Sequence, residues 1–155
     1  MSDIELSDDR MDSDVGAPLV RAQWRELLER YGVPDADPDD LQADHLAPPH
    51  GVFLVAWVDG DAVGCGGIRQ YDEATGEIKR MYTKPEARRR GISRVVLEAL
   101  EARARAVGYT RLVLETGIRQ PEAIALYESA GYASIEPYGF YKNAPGSRCY
   151  AKPLD

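Results

Sequence analysis

Seven basic side chains, Lys79, Arg80, Lys84, Arg88, Arg89, Arg90 and Arg94, fall within 16 residues and meet a single acid, Glu86. The run lies where a strand-like stretch, 77–83, passes through Lys84-Pro85-Glu86 into a helical pattern over 91–107, with Val96, Leu97, Leu100, Ala104 and Val107 on one face. The first turn of a helix has unpaired backbone N–H groups and a partial positive charge, so a strand, a basic loop and a helix in that order make a candidate site for a compact anion. Gly91 lets the backbone approach a phosphate closely, Ser93 adds a small hydroxyl, and Arg88, Arg89, Arg90 and Arg94 add charge. Charge alone fits a solvated helix face equally well. Two other phosphate-binding patterns are absent. There is no GxxxxGK[ST], and Gly64-Cys65-Gly66-Gly67 is neither GxGxxG nor followed by a helix.

These residues need a scaffold, and the rest of the chain supplies one. Residues 1–16 are polar and acidic without periodicity and are expected to form a disordered arm outside a domain over 17–155. From Pro18 the spacing of Val20, Trp24, Leu27, Leu28 and Tyr31 predicts a helix with these on its inner face, closed by Gly32. Residues 33–50 read as a loop with a short helix near 38–46. Strands are predicted over 52–58 and 62–70, joined at Asp59-Gly60-Asp61, and Gly64, Gly66 and Gly67 suggest a bulge or a close approach in the second. A strand over 111–115, a helix over 120–129 and two strands within 132–153 complete an α/β fold, a single domain whose mixed sheet of about six to seven strands is flanked by helices.

Composition narrows the partners. With 155 residues and 44% hydrophobic content the chain fits one domain, and no apolar run reaches the roughly 18 residues of a membrane span. The N-terminus lacks a signal-peptide pattern, so a soluble cytoplasmic protein with no membrane partner is expected. Cys65, Cys149, His45 and His50 form neither a disulfide framework nor a metal site. The net charge of −7 divides into −9 over residues 1–50 and +2 over 51–155, which argues against nucleic acid as a partner while leaving room for a local anion site.

Arg88-Arg89-Arg90-Gly91-Ile92-Ser93 resembles the (Gln/Arg)-x-x-Gly-x-(Gly/Ala) acyl-CoA signature of the GNAT superfamily of N-acetyltransferases, with Ser93 at the small position. Ala123-Ile124-Ala125-Leu126-Tyr127-Glu128-Ser129-Ala130-Gly131-Tyr132 resembles its second signature, with Gln120 in place of the leading Asn. Glu77 to Tyr82 and Leu114 to Gly117 are similar to the family's cofactor strand and the strand after its helix, and the likeness spans about 18–153.

The resemblance implies a GNAT-like acyl-CoA-binding domain and a transferase that moves an acetyl or similar short acyl group from acetyl-CoA to a primary amine, by direct transfer in a ternary complex and without a metal. Backbone groups of Met81, Tyr82 and Thr83 would pair with the pantetheine arm. Arg88, Arg89, Arg90, Gly91, Ile92 and Ser93 would hold the pyrophosphate, with Gln120 and Tyr127 also at the cofactor. Tyr127 would donate a proton to the leaving thiolate. A base would come from Glu77 or Glu115, Glu77 by resemblance, and an N–H near Met81 or Tyr82 would hold the oxyanion. Simple alternation places Glu77, Lys79 and Met81 on one face and Ile78, Arg80 and Tyr82 on the other. The acceptor is a small-molecule amine or a protein amino group, with the segment from Trp24 to His50 and the loop Pro137 to Tyr141 setting specificity. A non-catalytic acyl-CoA sensor and a homodimer built on the late strands are the alternatives.

Overall fold

The computed structural model describes residues 3–32, 41–139 and 142–155. Its elements run β1 (Ile4–Asp8), α1 (Gly16–Tyr31), a 3-10 turn (Ala43–Leu46), β2 (Val52–Val58), β3 (Asp61–Gln70), β4 (Thr75–Thr83), a second 3-10 turn (Pro85–Ala87), α2 (Ile92–Val107), β5 (Arg111–Gly117), α3 (Pro121–Ser129), β6 (Ala133–Ile135) and β7 (Ser147–Pro153). The strands form one seven-stranded mixed sheet in the order β1-β2-β3-β4-β5-β7-β6. All neighbouring pairs are antiparallel except β4 and β5, which are parallel and joined through α2.

The composition of β2 explains its place inside the sheet. Its sequence VFLVAWV is apolar throughout, as a strand covered on both faces requires. Val52, Leu54, Ala56 and Val58 join the core beneath α2, with Val96, Leu97, Leu100, Leu112 and Leu114. Phe53 and Val55 join a smaller core beneath α1, with Leu19, Leu46, Cys65 and Tyr82. The sheet is therefore sandwiched, with α2 on one side and α1 on the other.

Two expectations change. The acidic head is not an arm over its whole length, because Ile4–Asp8 pairs with β2 as an edge strand and Ile4 and Leu6 pack against the larger core. Its alternation, Ile4 and Leu6 against Glu5 and Ser7, spans only four residues and is hidden by the surrounding aspartates. Asp8 then pairs with Arg103 of α2, and Arg10 with Asp12 and Asp44, so these acids meet bases within the chain. Helix α1 starts two residues before Pro18 and turns Leu19 inward, leaving Trp24 44% and Leu28 42% exposed. The two late strands form where they are expected, β7 pairing with both β5 and β6. Of the predicted short helix near 38–46, residues 43–46 form the 3-10 turn and 38–40 lie outside the described residues.

One topological fact positions the site. Strands β4 and β5 pair only where Thr75, Gly76 and Glu77 lie beside Arg111, Leu112 and Val113. Beyond those pairs β4 continues to Thr83 and β5 to Gly117, with β5 held along its length by β7. The two strands diverge, and a gap opens in the middle of the sheet between their C-terminal halves.

Candidate active site

The β4 edge of this gap is set by hydrogen-bond parity. Lys84 N–H donates to Val63 O at 2.8 Å, and Tyr82 lies opposite Cys65. Antiparallel pairing turns the N–H and C=O of every second residue toward the neighbour, so the Tyr82 groups face β3 while those of Thr83 and Met81 face the gap. Side chains reach them there. Arg88 Nε donates to Thr83 O and Gln23 Nε2 of α1 to Met81 O, each at 2.9 Å.

Between Lys79 and Tyr82 the strand bulges. Arg80 takes a left-handed φ of 60°, and Arg80 and Met81 together face Gly66 of β3, where an added Cβ would stand 2.4 Å from Met81 Sδ. The extra residue exchanges the faces of the residues after it. Met81 packs with Ile78 into the core under α2, and Tyr82 joins the core under α1, the reverse of simple alternation. The Arg80 carbonyl accepts from Cys65 Sγ at 3.2 Å, and because the peptide is trans, the Met81 N–H points the opposite way. Of the three residues predicted to meet a cofactor through their backbone, Met81 and Thr83 present groups to the gap. Tyr82 instead lies buried, with the Arg88 guanidinium 5.9 Å from its ring centre.

The predicted anion site takes shape at the end of β4. Arg89 and Gly91 both have left-handed φ, 67° and 78°, and α2 begins at Ile92 with no side-chain cap on its first turn. Alternating conformations of this kind gather successive N–H groups into a concavity. Nothing lies within 4 Å of a Cβ built on Gly91, so the space above it can admit a phosphate. Ser93 Oγ lies 2.7 Å from Thr83 Oγ1, tying the helix to the strand, and Ile92 is buried in the core. The basic run divides. Arg88 is engaged by Thr83 O and by Glu26 at 2.6 Å, and Arg94 by the Ser129 hydroxyl, whereas Arg89 and Arg90 are exposed at the loop.

On the α1 face of the gap lie the two candidate bases. Glu77 is 4% exposed, accepts from the Tyr138 hydroxyl at 2.7 Å and has Arg69 Nε 3.2 Å from its other oxygen. Burial, with Glu77 adding to it, pushes the Tyr138 hydroxyl well above its ordinary range, so it remains a donor. Its ring meets that of Tyr71 edge-on at 5.3 Å. Glu115 is half-buried and accepts from the Ser147 hydroxyl at 3.1 Å, with Cys149 Sγ 3.8 Å away. Burial raises its pKa, and the charge of Glu77 adds to the rise, while Ser147, Lys79 and Cys149 oppose it.

Tyr127 of α3 is 5% exposed, packs in the core under α2, stacks edge-on against Tyr132 at 5.6 Å and keeps its proton because burial raises its pKa. Gln120 immediately precedes α3, and its amide lies 3.4 Å from the Tyr31 hydroxyl. Helix α1 spans both sides. It reaches β4 through Gln23 and β5 through Tyr31, whose hydroxyl would lie 2.0 Å from a Cβ at Gly117 and would have to move for a larger residue there. Glu26 pairs with Arg30 at 2.8 Å, and Arg30 with Glu122 at 2.5 Å. Sequence reasoning missed Gln23, Arg69 and the thiol of Cys65, which carry no motif and matter only through their position. Phe140 and Tyr141 of the predicted specificity loop lie outside the described residues. Among the described residues no group of acids, histidines and cysteines could hold a metal ion, and no helix is long and apolar enough to cross a membrane.

Comparison with known proteins meets this geometry. An IAA acetyltransferase of Azospirillum brasilense is 42% identical over 142 residues, 91% of this chain and 92% of its own length. The uncharacterized N-acetyltransferase YsnE of Bacillus subtilis is 36% identical over 116 residues, 74% of this chain and 77% of its own. A solved chain from Klebsiella pneumoniae, assigned as an acyl-CoA N-acyltransferase, superposes with a TM-score of 0.80 at 32% identity and covers 98% of both chains. The profile of the Acetyltransferase (GNAT) family matches residues 18–132, and the chain belongs to that family of N-acetyltransferase enzymes.

Proposed function

We propose that this enzyme transfers an acetyl or similar short acyl group from acetyl-CoA to a primary amine, directly, with donor and acceptor bound together. The observation that carries the reading is the open edge of β4, where Met81 and Thr83 turn their peptide groups into a gap that ends at the Arg89–Ser93 concavity. An amide-bearing arm can pair with such an edge as a further strand would, and a pyrophosphate fits the helix start, with Arg89 and Arg90 supplying charge. Gln120, next to Tyr31, lies on the α3 side of the same gap.

The residues divide the chemistry. A lysine-type amine has a pKa of about 10.4, so it must lose a proton before or during attack. We assign that proton to Glu115, directly or through one water, because burial raises its pKa and its hydrogen bonds come from the neutral Ser147 and Cys149, whereas Glu77 has the Arg69 guanidinium beside it. Glu77, between Arg69 and Tyr138, instead supports the site. The Met81 N–H, aimed into the gap, holds the oxyanion. Tyr127 keeps its proton and donates a hydrogen bond to the departing thiolate. Helix α1 roofs the gap from Gln23 to Tyr31 and favours a small amine over a protein amino group as acceptor. The donor is an intracellular metabolite, so the reaction belongs in the cytoplasm.

Two measurements test the reading. A ligand at 100 times its dissociation constant adds about 2.7 kcal/mol of stability, so acetyl-CoA at millimolar concentration raises the melting temperature by several degrees, and an unmoved transition would sink the coenzyme assignment. A panel of small amines and lysine peptides, read by release of free thiol, then identifies the acceptor. Binding without thiol release from any amine would show a sensor and not an enzyme.

A further inference from the structure

The peptide joining Arg80 to Met81 is held from both sides by side chains outside every recognised signature. We propose that Cys65 and Gln23 are positioning residues that fix this peptide so that its N–H, the donor assigned above to the oxyanion, points into the gap. The inference rests on that assignment and deepens it. A bulge residue at φ 60° takes its peptide out of the ladder with the neighbouring strand, and a peptide outside the ladder can rotate. Rotation is opposed at two points. Cys65, fully buried on β3, donates its S–H to the Arg80 carbonyl at 3.2 Å, the carbonyl of the same peptide whose N–H serves the site. Gln23 Nε2 donates to the next carbonyl, that of Met81, at 2.9 Å. Fixing the carbonyls before and after the N–H defines its direction.

The thiol suits this task. Burial pushes its pKa up to about 12, against a smaller opposing pull from Arg80, so it stays an S–H donor across the working pH range. A hydrogen bond accepted by a peptide carbonyl also polarises that peptide and strengthens its N–H as a donor. Gln23 takes only one lone pair of the Met81 carbonyl, and the second remains for a ligand amide. Gln23 belongs to α1, so the helix that roofs the acceptor side also sets the oxyanion donor.

The test separates positioning from packing. Acetyl-CoA carries the thioester carbonyl that the Met81 N–H would contact, and CoA does not. Gln23→Met keeps the side-chain length and removes the donor, Cys65→Ala removes the thiol, and Cys65→Ser restores a donor. Affinities for acetyl-CoA and CoA are measured by calorimetry, and turnover is measured with the best amine of the panel. Losing an oxyanion donor outright costs about a hundred- to a thousandfold in kcat, so loosening its aim should cost about tenfold. Acetyl-CoA affinity should fall about fivefold, the worth of one hydrogen bond, with CoA affinity unchanged and Cys65→Ser partly recovered. Variants that melt lower but keep kcat and both affinities would overturn the proposal, as would equal losses for acetyl-CoA and CoA. Should Cys65→Ala fail to fold, Gln23→Met decides alone, because Gln23 is only partly buried. A wild-type chain that binds no acetyl-CoA refutes the functional reading and this proposal with it, whereas wild-type binding with unaltered variants refutes this proposal alone.

Discussion

Glu77 and Glu115 differ in what surrounds them, and the difference predicts opposite behaviour on neutralisation. In Glu77→Gln, Arg69 loses its counter-ion, and breaking a fully buried pair costs about 3–5 kcal/mol. The Arg69 side chain keeps 23% of its surface in solvent and the amide can still accept from Tyr138, so we expect about 2 kcal/mol. In a domain of this size that lowers the melting temperature by about 4–8 °C. Glu115 has a folded pKa above its unfolded one, so the stability tied to its protonated form is full at low pH and lost as pH rises through the folded pKa. At pH 7 its charge is a burden on the fold, and Glu115→Gln should melt at the wild-type temperature or slightly higher. Activity should run the other way. Removing a general base costs about a hundred- to ten-thousandfold in kcat/KM, and the acidic limb of the wild-type pH profile, displaced above the ordinary carboxylate pKa of about 4.3, should vanish in Glu115→Gln. Thermal melts at pH 5 and pH 7 and thiol-release kinetics from pH 5 to 9 make the comparison. Full turnover in Glu115→Gln, or abolished turnover in Glu77→Gln with an unchanged melting temperature, would refute the assignment.

Other perturbations check other parts of the structure. Tyr127→Phe should lower turnover about ten- to a thousandfold while leaving acetyl-CoA affinity, read by calorimetry, nearly unchanged. Arg90→Ala should weaken CoA binding several-fold at low ionic strength and less at 0.5 M salt, whereas Arg88→Ala, which releases both Glu26 and Thr83 O, should chiefly lower the melting temperature. Deleting residues 1–9 removes the β1 pairing with β2 and the packing of Ile4 and Leu6, worth about 2 kcal/mol or about 4–8 °C in a melt, where loss of a disordered arm would cost nothing.

The sequence was most legible where the chemistry is written in backbone geometry. Gly91 and the arginines before it marked a helix start, and that start is where two left-handed residues gather the N–H groups. The hairpin at Asp59-Gly60-Asp61 and the helices ended by Gly32 and Gly108 were legible for the same reason, since a glycine in the left-handed region leaves a local signal. Long-range pairings left none. That Arg88, the first residue of the acyl-CoA signature, binds Glu26 of α1 follows from two elements 62 residues apart meeting across the gap, and charge in one of them could not foretell it. Nor could alternation place Met81 and Tyr82. A left-handed conformation at an arginine is unfavourable, and no local preference predicts it. It persists because Cys65 and Gln23 hold the flanking carbonyls and Gly66 leaves room for Met81. The glycines that thin β3 therefore belong to the same device as the signature on the far side of β4, since a side chain at Gly66 would press on Met81 Sδ and on Val96 of α2 and disturb the bulge that sets the Met81 peptide.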